Sequence, residues 1–312
     1  MTNATSDYVV INDVSPRDGL QNQTTLLEPN DRVRLIEALL DAGVGHVEVG
    51  SFVSPKAVPA MAGTDRVVAQ LSGNRGSFSA LIPNAKGYEL AMNAGLDNIL
   101  LVIAVSETMN QQNVNMSVEG SLDICSELLD RGKSDGKNMI VCLATAWECP
   151  FEGVVDPYAV AKVVHRCVDA GAQNIVLADT IGAADPVGVK SLLARLIAEF
   201  GSETFACHFH DTRGFGVANV YAAIESGVRK FDASVGGLGG CPFAPGASGN
   251  VATEDVVLML QQIGMQTGIE LAPLVAASDL VGEMTGVVTG GNASRWLKRQ
   301  IEKDALPQAS GS

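Results

Sequence analysis

Short runs of apolar and β-branched residues recur along the chain, at Tyr8 to Asp13, His46 to Gly50, Ser77 to Ile82, Asn98 to Ile103, Met139 to Thr145, Asn174 to Ala178, Thr204 to Phe209 and Lys230 to Val235. Runs of this length, bounded by turn residues, predict strands covered on both faces. Between them the polar and apolar positions change to a helical period, at Asp31 to Ala42, Thr64 to Leu71, Ser117 to Arg131, Pro157 to Ala170, Pro186 to Phe200 and Val217 to Glu225. Ala42-Gly43, Ala94-Gly95, Ala170-Gly171 and Ser226-Gly227 put glycine where a helix needs a left-handed stop before the next strand.

Eight such β/α units in roughly 260 residues predict a TIM (β/α)8 barrel with additional C-terminal helices. A doubly wound open sheet is the competing arrangement. It is weakened because Pro16 to Asn22, and no G-x-G-x-x-G turn, follows the first strand. The expected organisation is a single domain over 1–312, with the barrel at about 8–250, extra helices at about 252–302 that close or cap it, and a tail at 304–312.

Composition narrows the function classes. Lys and Arg number 21 against 35 Asp and Glu, a formal charge of -14. A polyphosphate backbone is repelled by that field, so nucleic acid is not expected as a partner. Six cysteines are scattered without a C-x-x-C pair, as in a reducing compartment. No apolar run is long enough to span a membrane, and the polar start has no leader pattern. The expectation is a soluble, cytoplasmic protein with no membrane partner.

In a barrel of this kind, chemistry sits in the loops that follow the strands. Arg17 and Asp18 follow strand one, and Gln21 lies just beyond. Glu48 and Ser51 end strand two, Asn84 follows strand three, Asp179 and Thr180 follow strand six, and His208 and His210 end strand seven. His208 and His210 are two apart, so on an extended strand both imidazoles face one side and can share an ion. A hydrogen-bonded histidine pair is the alternative. Asp18 and Asn250 add a carboxylate and an amide oxygen, leaving places for substrate oxygens in an octahedral shell. Such a set takes a divalent cation, Mg²⁺ or Mn²⁺, with Co²⁺ and Zn²⁺ also compatible with two imidazoles.

Arg17 beside Asp18 is either an ordinary ion pair or a guanidinium placed to stabilise an enolate or carboxylate oxygen. Glu48 either neutralises Arg17 and supports a ligand or moves a proton itself. Cys241 stands in the densest glycine cluster, Gly236-Gly237 and Gly239-Gly240. On a closing lid its thiol could protonate a carbanion or attack as a nucleophile; otherwise it is a small buried hydrophobe.

Ser15-Pro16-Arg17-Asp18-Gly19-Leu20-Gln21-Asn22, Ser51-Phe52-Val53-Ser54-Pro55-Lys56, Asp179-Thr180-Ile181-Gly182, His208-Phe209-His210-Asp211-Thr212 and Gly239-Gly240-Cys241-Pro242 through Gly249-Asn250 resemble 3-hydroxy-3-methylglutaryl-CoA lyase, from about Val9 to Leu260. The resemblance implies a metal-dependent barrel that cleaves 3-hydroxy-3-methylglutaryl-CoA to acetyl-CoA and acetoacetate, as in leucine degradation and ketone body formation. It implies an acyl-CoA partner and a homodimer or higher homo-oligomer. Asp18, His208, His210 and Asn250 would be the metal shell, Arg17 would stabilise the thioester enolate, and Cys241 would protonate the acetyl-CoA carbanion. Glu48 and Asp179 would support the site, with Gln21, Ser51, Asn84, Asp179 and Thr180 meeting substrate.

The chain departs from the family pattern at Trp147-Glu148, before Cys149-Pro150-Phe151-Glu152-Gly153, and at Arg213-Gly214-Phe215. Both departures follow strands, at five and seven, where a changed pocket would select another acyl chain. A citramalyl-like or isoprenoid-derived 3-hydroxyacyl-CoA is therefore the close alternative substrate. A Claisen condensing enzyme of the isopropylmalate synthase type is the more distant one.

Overall fold

The computed structural model describes residues 7–73, 75–240 and 249–305. Eight parallel strands close into a barrel: β1 (Val10–Asp13), β2 (His46–Ser51), β3 (Ser77–Ile82), β4 (Asn98–Ala104), β5 (Asn138–Ala144), β6 (Asn174–Asp179), β7 (Phe205–Phe209) and β8 (Lys230–Ala233). Each strand pairs with its neighbours in chain order, and β1 closes the ring between β2 and β8, with Asn12 opposite both His46 and Asp232. This is the TIM barrel expected from the strand–helix alternation.

The helices form where the pattern and caps place them. Eight of them run along the barrel: α1 (Pro29–Asp41), α2 (Thr64–Gln70), α3 (Ala85–Ala94), α4 (Glu107–Val114), α5 (Val118–Ser134), α6 (Pro157–Asp169), α7 (Pro186–Phe200) and α8 (Gly216–Glu225). Asp156 and Asp185 accept hydrogen bonds from the first free N–H groups of α6 and α7, each with proline at the first helical turn. Gly43, Gly95, Gly171 and Gly227 all have positive φ, as the stop reading requires. Three further helices follow, α9 (Thr253–Gln262), α10 (Leu271–Thr285) and α11 (Ser294–Ala305). α10 packs on α1 and so joins the end of the chain to its start. No helix among the described residues is long and apolar enough to cross a membrane.

Several features escaped the hydrophobic pattern. α4 carries almost no amphipathic signal, because it holds mostly polar residues over one wall of a cavity. Ser15–Gly19 forms one wide helical turn instead of an open loop. Glu148–Cys149 pairs with Gly153–Val154 in a small antiparallel hairpin outside the barrel. Tyr8 reaches only an isolated bridge to Gln266, so β1 starts later than its hydrophobic run, and Val235 begins a tight turn instead of ending β8.

Candidate metal centre and active site

The turn after β1 is held from below by a buried carboxylate. Asp13 accepts hydrogen bonds from Ser15 N at 2.9 Å, Val235 N at 3.1 Å and Thr253 Oγ1 at 2.7 Å, and from the Ser15 hydroxyl. Burial pushes its carboxyl up to about 6 against the pull of these donors. Asp13 thus ties the loops after β1 and β8 together. With that turn fixed, Arg17 and Asp18 project over the C-terminal mouth of the barrel.

Arg17 forms a two-pronged pair with Glu48, Nε to Oε1 at 2.7 Å and Nη2 to Oε2 at 3.0 Å, and its Nη1 donates to Asp18 Oδ1 at 2.6 Å. Glu48 is fully buried at β2. Burial pushes its carboxyl upward; two parallel N–H donors on both oxygens oppose that and are the arrangement of an ionised carboxylate. Burial also lowers Arg17 intrinsically, but Glu48 and Asp18 raise it, so the guanidinium stays charged. Asp18 is desolvated as well, yet Arg17, the contact with His210 and the charge of His208 hold its carboxyl well below the usual carboxylate range.

The two imidazoles lie beside Asp18. Their ring centroids are 5.2 Å apart, and one ligand atom from each of Asp18, His208 and His210 falls within 4.8 Å of the others. His210 Nε2 is 3.7 Å from Asp18 Oδ2. Asn250 arrives opposite His210 in an antiparallel bridge, with Val251 N–H donating to Phe209 O at 3.0 Å. Its Nδ2 donates to Asp18 Oδ2 at 2.8 Å and to Leu238 O at 3.0 Å, which leaves Oδ1 buried without a donor. His210 Nδ1 is buried and unpaired too. A carboxylate oxygen, two imidazoles and an orphaned amide oxygen in one place are the donor set a divalent cation takes, so the residues present fit a metal.

Glycine is required to bring Asn250 there. A Cβ on Gly249 would lie 2.0 Å from Gly237 O, and one on Gly239 would lie 2.5 Å from Asn250 Nδ2. The glycine cluster therefore permits close packing of its two described ends, beside any freedom it confers.

A cavity of about 590 Å³ opens at this cluster, with Arg17, Asp18, His208 and His210 on one side and apolar residues of β3, β4, α4 and α5 on the other. Gln21, Asn84 and Thr180 line it. Asn84 also accepts from Gly87 N to cap α3, and Thr180 Oγ1 accepts from Thr145 N at 2.7 Å. Thr145 has φ of 58°, a strained conformation for a β-branched residue at a strand end facing the site. Ser51 and Asp179 do not line the cavity. Ser51 Oγ is buried without a partner, and Asp179 accepts from Ala183 N and Ala184 N and so shapes the loop after β6. Cys241 lies outside the described residues.

Asp232, Asn12, Asn22 and Cys142 were not singled out by the sequence reading. Asp232, on β8, puts Oδ2 3.1 Å from His208 Nδ1, and Asn12 Nδ2 donates to its Oδ1 at 2.8 Å. Burial lowers His208, but Asp232 outweighs it and raises the imidazole overall. A carboxylate inside the buried run Phe231-Asp232-Ala233 was the available signal. Asn22 Nδ2 donates to Gly240 O at 2.9 Å at the cavity rim. Cys142 lines the cavity floor, where burial and Asp232 push its thiol up, leaving it protonated. Trp147, Glu148, Arg213 and Phe215 stand clear of this cavity. Trp147 packs at a tilt against Phe209, ring centroids 5.5 Å apart, and Arg213 bridges Glu148 at 3.1 Å between the loops after β5 and β7.

The profile of the HMGL-like family matches residues 8–281. The chain belongs to that family. The HMGL-like family is metal-dependent, and its homologues here are carbon–carbon lyases. The chain is 44% identical to the (R)-citramalyl-CoA lyase of Chloroflexus aurantiacus, with 90% of this chain and 92% of that protein aligned. It is 41% identical to the hydroxymethylglutaryl-CoA lyase of Pseudomonas mevalonii, over 95% of this chain and 99% of that one. Among HMGL-like structures, that of an HMG-CoA lyase from Acenitobacter baumannii in complex with coenzyme A and 3-methylmalate superposes with a TM-score of 0.89 at 37% identity, covering 100% of this chain and 99% of that chain.

Proposed function

We propose that this protein is a divalent-metal-dependent lyase that breaks the C2–C3 bond of a 3-hydroxyacyl-CoA, with 3-hydroxy-3-methylglutaryl-CoA giving acetyl-CoA and acetoacetate. The observation that carries the reading is the Asp18–His208–His210 cluster with the Arg17 guanidinium braced beside it. A divalent cation held by Asp18, His208, His210 and Asn250 would make a bound tertiary alcohol more acidic.

The hydroxyl proton would pass to the Asp18 carboxylate, which keeps spare lone pairs beside the cation, whereas His208, with Nδ1 toward Asp232 and Nε2 toward the cation, has none free. As the C2–C3 bond breaks, its electron pair moves onto C2 and the thioester oxygen, where Arg17 offers fixed positive charge. Glu48 holds that guanidinium in place and leaves it no freedom to follow the ground state. The proton that C2 needs comes, by resemblance, from Cys241. Gln21, Asn84 and Thr180 are proposed to position the acyl-CoA along the cavity, with Asp179 and Ser51 supporting the loops behind it.

A second reading is favoured by the 44% identity with a citramalyl-CoA lyase. There the same bond cleavage releases acetyl-CoA and pyruvate from a substrate shorter by one methylene. The purified, Mn²⁺-loaded protein incubated with both thioesters decides: acetoacetate supports the first, pyruvate the second. Release of acetyl-CoA from neither thioester would sink the lyase reading.

A further inference from the structure

The two imidazoles of the candidate centre are not equivalent from behind. His210 Nδ1 is buried with no partner, whereas His208 Nδ1 meets a carboxylate that is itself held. Asn12, Asp232 and His208 stand side by side across β1, β8 and β7, paired in register as Asn12 with Asp232 and Asp232 with His208. Asp232 and Leu100 line both the mouth cavity and a second cavity of about 230 Å³ below it, so both stand between the two.

From this geometry we propose that Asp232, locked by Asn12, is a positioning residue that sets the tautomer and ring orientation of His208. Ionised, Asp232 has only lone pairs to offer. Nδ1 of His208 must then carry the hydrogen, and Nε2 is left as the bare nitrogen available to the cavity. A carboxylate behind a ligating histidine also makes that nitrogen a stronger donor. Asn12 supplies the second half of the device. Because its Nδ2 donates to Oδ1, that oxygen is spoken for, and Oδ2 alone faces the imidazole.

The lock makes a specific demand on substitutions. In Asp232→Asn the amide oxygen is drawn to the Asn12 N–H, so the NH₂ group turns to His208 Nδ1. That nitrogen has to become an acceptor, which moves the hydrogen to Nε2 and blocks the nitrogen meant for the cation. Exchanging the pair, Asn12→Asp with Asp232→Asn, reverses the direction. The carboxylate on β1 now accepts from the amide NH₂, the amide oxygen faces His208, and the hydrogen returns to Nδ1. The exchanged pair holds the same functional groups as the original, so a purely steric role cannot account for a rescue.

The consequence for metal rests on the lyase reading, but the tautomer does not, and the experiment separates them. Protein labelled with ¹⁵N-histidine and stripped of metal is observed by NMR in the three forms, and Mn²⁺ binding is titrated calorimetrically on the same samples. The expected results are hydrogen on Nδ1 of His208 in the original protein and on Nε2 in Asp232→Asn, with Mn²⁺ affinity roughly 10–100-fold weaker in that variant. The exchanged pair should restore the Nδ1 hydrogen and bring affinity back to within about threefold. If Asp232→Asn does not fold, the exchanged pair alone still decides between hydrogen on Nδ1 and hydrogen on Nε2. An unchanged tautomer in Asp232→Asn, or an exchanged pair with hydrogen on Nε2, overturns the proposal. If the tautomer responds as expected but Mn²⁺ binds to none of the forms, the metal reading fails and the lock stands.

Discussion

Both ends of the barrel are polar, and they are polar in different ways. At the N-terminal rim, Asn98, Asn138, Asn174 and Lys230 each open a strand and pass hydrogen bonds around the ring. Lys230 Nζ donates to Asn174 Oδ1 at 3.1 Å, Asn174 to Asn138 at 2.9 Å, Asn138 to Asn98 at 2.8 Å, and Asn98 to Ser77 Oγ at 3.1 Å. Apart from the one lysine the ladder is neutral, and its side-chain oxygens have donors. At the C-terminal mouth, Arg17, Asp18, Glu48, His208 and Asp232 crowd charge together, and Asn250 Oδ1 and His210 Nδ1 are buried with nothing to bond. The contrast teaches that buried polarity alone does not mark a site. A satisfied ladder holds strands in register, whereas concentrated charge with unspent lone pairs is arranged for something that must arrive.

The sharpest way to break this comparison is Arg17→Met. At the mouth it should lower kcat by about a thousandfold, the size of a lost oxyanion donor, while leaving Mn²⁺ content nearly unchanged. It also strands Glu48, so urea unfolding should show a stability loss of about 3 kcal/mol. An Arg17→Met protein with ordinary turnover would make the charged end as inert as the ladder.

Asn250→Ala comes next. Removing the orphaned oxygen should weaken Mn²⁺ binding by roughly tenfold, and losing the Nδ2 bonds to Asp18 and Leu238 O should cost the metal-free protein about 1–3 kcal/mol as well. A calorimetric titration checks it, and equal affinity would mean the lone pair is idle. At the other end Asn174→Ala should leave metal binding unchanged. It cuts the ladder in two and should cost about 1 kcal/mol in unfolding free energy, with kcat/KM within about twofold.

A further test lies in the pH profile of stability. Asp13, raised to about 6 in the folded protein from 3.8, holds more protons folded than unfolded between those values. Its contribution is therefore present at low pH and is lost as pH rises through that window. Asp13→Asn does not titrate, so its stability measured from pH 4 to 7 should lack this downward component. Parallel curves for the two proteins would show that Asp13 is not shifted.

The strands were legible because each is an apolar run, and before four of them a glycine stops the preceding helix, local properties that survive in one dimension. β3, β4 and β6 fall within a residue of their patterns, and α7 coincides with its own. α4 was illegible for the same reason: its polar residues show no face. The site was legible as residue types at strand ends, Arg17 and Asp18, His208 and His210, Thr180 and Asn84. Trp147 and Arg213 read as pocket residues, yet they stand clear of the described cavity, because a loop position says only that a residue is near the mouth and not which way its side chain turns.

What the chain determines by itself is periodicity and its interruptions: eight runs of strand length, helices between them, glycines at the stops, and two histidines spaced to share a face. Closing the ring decided the rest. It set Glu48 against Arg17 across 31 positions, Asn250 against Asp18 across 232, and Asp232 between Asn12 and His208. None of those pairings has a local signature. A charged group buried at such depth is stable only with its partner in place, and the partner comes within reach only once the barrel has closed.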